Sequence, residues 1–567
     1  MALLGSTMAI QAQEIKKEKE QELNREMTLE REYDPTVQDA NKVNTLPVIK
    51  EPEAKKMSID YASFTVPTEP EKEISLLPSG NIMTDIQHNK RRGYFNFGGG
   101  TYLNLNGDVG YHILNTDKDK LNVWFSHRST NGNVKYIDTE EKVKAKLNDN
   151  LGGLNFKHAF DKLTLDMGIK YGYSAFNYYG LPVINPTLST TLAAYDRETN
   201  QANQTIQASI GIESKEESPI GYLLDLGYTN FSQKYAFNKN IEGPTEQTFE
   251  VKFDLNARFG GEQRIGIGGY LEYFNYSLPL INGEEQMEYQ NHAEVTLNPY
   301  YKVHGDNWNV RLGANIMFST GEESKFMASP NISADIEIAE KTELYLNAGG
   351  KMYSNSLYSL SRINRYASSM FELMPSLNFL DGTIGIRSGV APGFWFDIFG
   401  GYQITNNELF FVPFYTPEKD AFSYLSILQD NAKKAFGGVQ VKYSYQQLFD
   451  INLKGVYNAW SVSNLEEVYG KPKMEINAGI TVRPIQKLTA SLDYYLATGR
   501  KTFLGYEGGS SQDMKNINEL NLTGNYTIND TFGAYLKLNN ILFQKYELYY
   551  GYPMQGFSAM VGVNINF

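Results

Sequence analysis

Phe557 to Phe567 reads F-S-A-M-V-G-V-N-I-N-F, and this stretch decides the fold. Phe557, Ala559, Val561, Val563, Ile565 and Phe567 fall on one face of an extended chain, and Ser558, Gly562, Asn564 and Asn566 fall on the other, with Met560 the exception. A period of two is the strand period. A strand that ends on a bare aromatic residue has no turn left to make, so its second neighbour must come from elsewhere, and closing a sheet meets that need. The same alternation recurs backwards through most of the chain, apolar and aromatic residues facing one way and Asn, Ser, Thr, Lys and Gly the other. This is the pattern of an antiparallel transmembrane β-barrel with a lipid-facing outside and a wet inside.

Composition is compatible with that reading and narrows it. A chain of 567 residues suits one large barrel without subdivision. The net charge of −13 argues against nucleic acid or an anionic membrane surface as a partner. Mean hydropathy is −0.42, and there is no apolar run of the roughly 18 residues that a transmembrane helix needs. Barrel strands escape that test because only alternate residues meet lipid. Forty Tyr, 31 Phe and 4 Trp suit aromatic girdles at two membrane interfaces. The absence of cysteine removes disulfides, thiolate nucleophiles and Cys-based metal sites.

Three segments follow from the text. Residues 1–12 read as the remnant of a secretory signal, with cleavage expected after Ala12. Residues 13–90 are charged, polar and punctuated by Pro35, Pro47, Pro52, Pro67, Pro70 and Pro78, which predicts an extended or disordered periplasmic leader. Within it, Met27 to Leu29 and Ala62 to Val66 are short β-like pieces able to add to a sheet edge or a partner. Residues 91–567 are barrel.

Barrel text begins at Gly93-Tyr-Phe-Asn-Phe, followed by strands over Leu103 to Leu114 and Leu121 to Arg128. From there short and long connections alternate. The short ones fall at Asp161-Lys162, Glu216 to Pro219, Gly260 to Gln263, Gly305 to Asn307, Ala339 to Lys341, Ala391 to Gly393, Gln446 to Leu448, Pro484 to Gln486 and Ile528 to Asp530. The long ones fall near 179–199, 235–245, 279–288, 320–327, 355–369, 414–431, 461–470, 499–514 and 544–555. Tight turns on one rim and long loops on the other are how outer-membrane barrels are built. The count is about 22 strands, with a range of 16–22 because 93–114 and 371–413 divide in more than one way.

Single strands hold up residue by residue. Leu163, Leu165, Met167, Ile169, Tyr171 and Tyr173 alternate with Thr164, Asp166, Gly168, Lys170 and Gly172. A basic residue costs about 2–4 kcal/mol on the lipid face at mid-bilayer. Asp166, Lys170, Lys454, Asp493 and Lys537 are therefore expected to face the lumen and to set any selectivity there.

Asn540-Ile-Leu-Phe543, then Lys545-Tyr546, then Gly551-Tyr-Pro-Met-Gln-Gly-Phe557 before the last strand, resemble the C-terminus of TonB-dependent receptors, in which an N-N-L-F…K-Y element and a G-x-P…G-F element precede the final strand. The leader from Glu26 to Val37 looks like that of plug-less receptor-like proteins of Bacteroidota. The resemblance implies a barrel in the outer membrane, with the N-terminal segment and the C-terminus periplasmic. It implies solute passage as the function and outer-membrane lipid as surroundings. The barrel-assembly machinery would read Phe567 as an insertion signal, and a periplasmic or surface lipoprotein is an expected partner. No plug domain is found in the sequence. The alternative is a structural barrel subunit of an assembly or secretion complex.

Other chemistry is weighed and set aside. The six histidines, His88, His112, His127, His158, His292 and His304, lack metal-ligand spacing, so no metal or cofactor is expected. Ser126-His127 lie next to each other on a strand and so point to opposite faces, which argues against a catalytic pair. Gly98-Gly-Gly100 is read as a bend or bulge in the wall, since no helix follows it to hold a phosphate. Tyr178-Tyr179, Phe410-Phe411, Phe414-Tyr415 and Tyr549-Tyr550 suit the outer rim, either as girdle or as stacking surface.

Overall fold

The computed structural model describes residues 91–567 except 140, 182, 185–198, 216–217, 237–240, 261–262, 282–283, 286–288, 322–323, 369–372, 390, 414, 417–424 and 505–509. The expected signal and leader, and Phe414, lie outside the described residues. Among the described residues 22 strands form one closed antiparallel barrel, with one α-helix, Leu357–Ile363, in a loop. Closure is made where the sequence demanded it. The last strand, Ser558–Asn566, pairs on one side with Phe532–Asn539 and on the other with the first strand, Gly93–Gly100. Every other neighbour in the ring is the next strand along the chain.

Counted from the first strand, the fourth is Lys142–Ala159, the fifth Leu163–Asn177, the eighth Thr245–Phe259, the ninth Gln263–Ser277 and the tenth His292–His304. The thirteenth is Thr342–Tyr353 and the fifteenth Phe394–Pro413. The twelfth comes in two pieces, Lys325–Pro330 and Ile332–Ala339, both paired with Trp308–Ser319. Pro330 has no N–H to give to a ladder, and the break falls at the residue after it.

The alternation sorts inside from outside. On the fifth strand Met167, Ile169 and Tyr171 are exposed on the outer face, and on the last strand so are Val561 and Val563. Met560, the apolar exception, is 6% exposed and faces inward. With no water in lipid to satisfy backbone groups, a sheet closed on itself is the one strand arrangement that leaves no edge there.

The structure revises several expectations. The Gly98–Gly100 segment is not a bulge: it pairs in unbroken register with the last strand, and Gly98 and Gly99 pair with the second strand as well, Gly98 opposite Asn106 and Gly562. Its glycines serve close approach instead. The ring of Tyr535 lies across Gly98 and Gly562, so that a Cβ on Gly562 would come within 2.2 Å of the ring and 2.5 Å of the Phe97 carbonyl oxygen. The chain turns just afterwards, at Thr101–Leu103, where Tyr102 and Leu103 take positive φ, and the second strand runs Leu105–Asn115. The third strand is longer than expected, Asp119–Lys135. Strands also begin inside two expected loops, at Lys325 and Leu425. Segments 93–114 and 371–413 each hold two strands.

Candidate functional site

The lumen and the loops above it form the candidate site. The wall is polar and layered with charge. Asp166 pairs with Lys157 at 3.5 Å, and both lie on the face opposite Met167 and Ile169. Lys170 lies on the same inner face two repeats of the pleat further along the strand. Lys454 sits over the Phe399 ring at 5.7 Å and Lys537 over the Tyr535 ring at 5.5 Å. Asp493 packs against Gly479, whose added Cβ would lie 3.0 Å from its Oδ1. The five sequence-picked residues thus share the inner face, but on strands spread around the barrel they form a lining, not one cluster.

Ser126 and His127 part as the pleat requires. Ser126 donates to Asp108 at 2.8 Å, while the His127 ring contacts Asn150 at 2.8 Å and Ser129 at 2.9 Å. Among the described residues no group of three His, Cys, Asp or Glu side chains is placed to hold a metal ion.

Above the wall the long loops meet over the lumen, a feature that the sequence did not reveal. The loop after the fifth strand runs beside the loop after the fifteenth: Val183–Ile184 pair in parallel with Tyr415–Thr416. Strands ten apart in a ring of 22 stand almost opposite each other, so this contact crosses the opening. A buried aromatic core is built there from four loops. Tyr366 stacks on Tyr552 with ring centroids 4.2 Å apart, and Tyr179 meets both edge-on at 5.6 and 5.1 Å. Tyr136 is fully buried beneath them and donates its hydroxyl to the Tyr179 carbonyl at 2.6 Å. Burial pushes the phenols of Tyr179 and Tyr552 well above their ordinary value, so they stay neutral donors.

One loop crosses the lumen as a strap. It leaves the thirteenth strand at Tyr353, forms the helix Leu357–Ile363 and is tied at both ends to distant wall strands. At the helix start Glu246 of the eighth strand, 1% exposed, accepts from the Tyr358 N–H at 3.1 Å and from Thr248 Oγ1 at 3.1 Å. A carboxylate at that end meets unpaired N–H groups and the positive end of the helix dipole. Beyond the helix Arg365 donates both terminal nitrogens to Asp149 of the fourth strand, each at 3.0 Å, and one of them also to Ser174 at 3.1 Å. The thirteenth and fourth strands are nine apart, so the strap traverses the barrel.

A second tie holds the loop of the last hairpin. Arg500, 1% exposed, donates to the carbonyls of Leu548, Glu547 and Lys515 at 2.8–2.9 Å. Burial lowers its guanidinium to about 10. Beside it Glu547 accepts from the Gly551 N–H at 3.0 Å, and burial raises its carboxyl to about 7.

No family model matches the sequence, and no curated protein matches it either. Solved structures do. The pyoverdine outer-membrane receptor FpvA from Pseudomonas aeruginosa PAO1 superposes with a TM-score of 0.61 at 11% identity, over 84% of this chain and 78% of that one. The fold is that of an outer-membrane receptor barrel. The ferric-catecholate import receptor Fiu from E. coli K12 gives 0.59 at 10% identity, over 84% and 82%. The copper transporter OprC gives 0.61 at 9% identity, over 84% and 80%. These neighbours are receptors and transporters, not enzymes. They support the receptor-type barrel that the C-terminal motif suggested.

Proposed function

We propose that the chain is an outer-membrane barrel through which a polar solute passes, closed from outside by its own loops. One observation carries this reading: loops from opposite sides of a polar-lined lumen meet in a buried core and are tied to the wall by Arg365 and Glu246. A lumen with a closed lid is the arrangement of a gated pathway. In this reading the strap is the element that blocks the lumen.

Asp166, Lys170, Lys454, Asp493 and Lys537 then set selectivity, since fixed charges with low-dielectric walls bias which ions and dipoles enter. The short-turn rim, where Gly93 and Phe567 exchange backbone hydrogen bonds at 2.8 and 2.9 Å, would be periplasmic, and the N-terminal segment would lie in the same compartment. Phe567 would be the signal read by the assembly machinery, and a lipoprotein would be the partner on either side.

Liposome swelling tests the reading. Purified full-length protein is expected to admit small neutral sugars slowly, and an Asp149→Asn variant faster. Swelling no faster than protein-free liposomes for both would contradict it. The aromatic lid also favours a second reading, a structural subunit of an assembly or secretion complex, in which loops stay shut and a partner uses the barrel wall. Stoichiometric companions retained in mild detergent would support that alternative.

A further inference from the structure

On one arc of the wall aromatic rings interrupt the polar lining. The sixteenth strand is Leu425–Tyr445 and the seventeenth Phe449–Val462. Ile398, Tyr402, Val439, Leu453 and Tyr457 of the fifteenth to seventeenth strands are exposed on the outer face, so the alternate residues face the lumen. Those inner positions set Trp395, Phe399, Phe436 and Trp460 on a diagonal. Phe399 stands opposite Gly438, Phe436 opposite Gly401 and Asn458, and Trp460 opposite Lys434. The centroids of the Phe399 and Phe436 rings are 6.5 Å apart.

Glycines make room for the rings. A Cβ on Gly438 would come within 2.5 Å of the Phe399 ring, and one on Gly401 within 2.3 Å of the Phe436 ring. Each ring therefore lies across a glycine of the wall, with its other face toward the lumen. Three lysines accompany them. Lys442 Nζ lies 4.8 Å from the centre of the Trp395 ring, Lys454 Nζ 5.7 Å from that of Phe399, and Lys434 Nζ 5.1 Å from Phe436 and 5.2 Å from Trp460. The one carboxylate on these rungs, Asp397, accepts from the Tyr345 hydroxyl at 3.0 Å. Amides fill other inner positions, Gln440 donating to Asn452 at 3.0 Å. At the short-turn end Trp395 lines a cavity of about 810 Å³ together with Arg387 and Lys341. Lys434 and Lys442 lie on one unbroken strand, which sets them about 27 Å apart along the wall.

Flat apolar faces, amides and an excess of cations, all in one line, define a ligand chemistry. A pyranose ring offers C–H faces that pack on an aromatic ring and a rim of hydroxyls that amides can hold. A carboxylate on each unit answers the lysines. We infer that this strip binds a linear acidic oligosaccharide of the uronic-acid class along the lumen wall. A lysine resting on a ring face has a flexible stem, and it turns aside to a carboxylate, leaving the ring to the sugar. The inference deepens the proposed passage by naming a substrate class, and it rests on that reading for the route. The strip ends at the short-turn rim, so loading in detergent does not require the lid to open.

Calorimetric titration of the detergent-purified full-length protein with tetragalacturonate tests this, with maltotetraose as a neutral saccharide and tetraglutamate as a peptide of the same net charge. Saturable binding of tetragalacturonate is expected, at least tenfold tighter than for either control. Its affinity should fall at least fivefold in Phe436→Leu and in the double variant Lys442→Gln/Lys454→Gln. Heat-modifiable mobility on unboiled gels verifies that each variant remains a folded barrel; if one does not fold, the comparison of the three ligands on the unaltered protein still decides. Either control binding as tightly as tetragalacturonate, no saturable binding at millimolar concentration, or folded variants that bind like the unaltered protein would overturn the inference. Swelling of liposomes by neutral sugars reads passage separately. A barrel that passes sugar but binds no tetragalacturonate refutes the strip and leaves the passage reading standing, and one that binds it without passing sugar does the reverse.

Discussion

Arg365 and Asp149, 216 residues apart in sequence, form a two-pronged ion pair that fastens the lumen-crossing strap to the far wall. Each donor–acceptor distance is 3.0 Å, and the side chains are 25% and 32% exposed, so the pair is only partly screened. Planar guanidinium against carboxylate is the strong, directional form of this contact.

Breaking that pair should loosen the lid. Arg365→Lys keeps the charge but loses the fork, and Asp149→Asn leaves a part-buried cation without its carboxylate. The expected cost of about 1–2 kcal/mol corresponds to roughly a tenfold change in the closed-to-open ratio. Single-channel recordings are expected to show a higher open fraction in both variants, more in Asp149→Asn. An unchanged open fraction would mean that the strap is held elsewhere.

The Tyr366–Tyr552 stack should contribute less. An aromatic pair adds about 0.5–1.5 kcal/mol beyond its area. Tyr552→Ala should speed protease cleavage of the loops a few-fold while leaving the barrel intact, and limited digestion followed by mass spectrometry checks both at once.

The hairpin Glu547–Tyr549 with Tyr552–Pro553 should weaken as pH rises. Burial raises the Glu547 carboxyl to about 7 in the folded loop, above the ordinary 4.5. The folded state therefore holds the proton more tightly. The stability it adds is complete below about 4.5 and is lost as pH climbs through about 7. Protection factors in residues 546–553, measured against the intrinsic exchange rate at each pH, should be lower at pH 8 than at pH 5, and Glu547→Gln should flatten that difference. Protection independent of pH in the unaltered protein would contradict the account.

The seam should be intolerant of bulk. Gly562→Val would press a side chain into the Phe97 carbonyl, at 2.5 Å from the first added carbon, where backbone cannot yield cheaply. Removal of Phe567 would take away both backbone hydrogen bonds to Gly93. Each change should lower the amount of folded barrel recovered in membranes, measured by heat-modifiable migration on unboiled gels. Wild-type recovery of the Phe567 deletion would remove its role as an insertion signal.

What could be read in advance followed from locality. Alternation such as Met167, Ile169 and Tyr171 against Asp166 and Lys170 is imposed by lipid on one side and water on the other, so it is written residue by residue, and strands and tight turns emerged from it. Met560 already stood out as the apolar residue on the inner face. The lid was illegible because its contacts are distant in sequence: nothing near Arg365 announces Asp149, and nothing near Tyr179 announces Tyr552. The helix Leu357–Ile363 was missed for a related reason. Its seven residues carry no long amphipathic period, and it is held in place by Glu246, more than a hundred positions earlier. Gly98–Gly100 was misread because glycine marks close approach as readily as a bend, and only the Tyr535 ring distinguishes the two.

If a conducting lumen lies under the strap, planar-bilayer conductance will show it when the full-length protein is compared with a variant in which residues 356–374 are replaced by a Gly/Ser linker. The expected result is rare, brief openings of the full-length protein and sustained open steps of the variant. A strap-deleted barrel that inserts, folds and remains silent would contradict it, and the barrel would then be a structural scaffold.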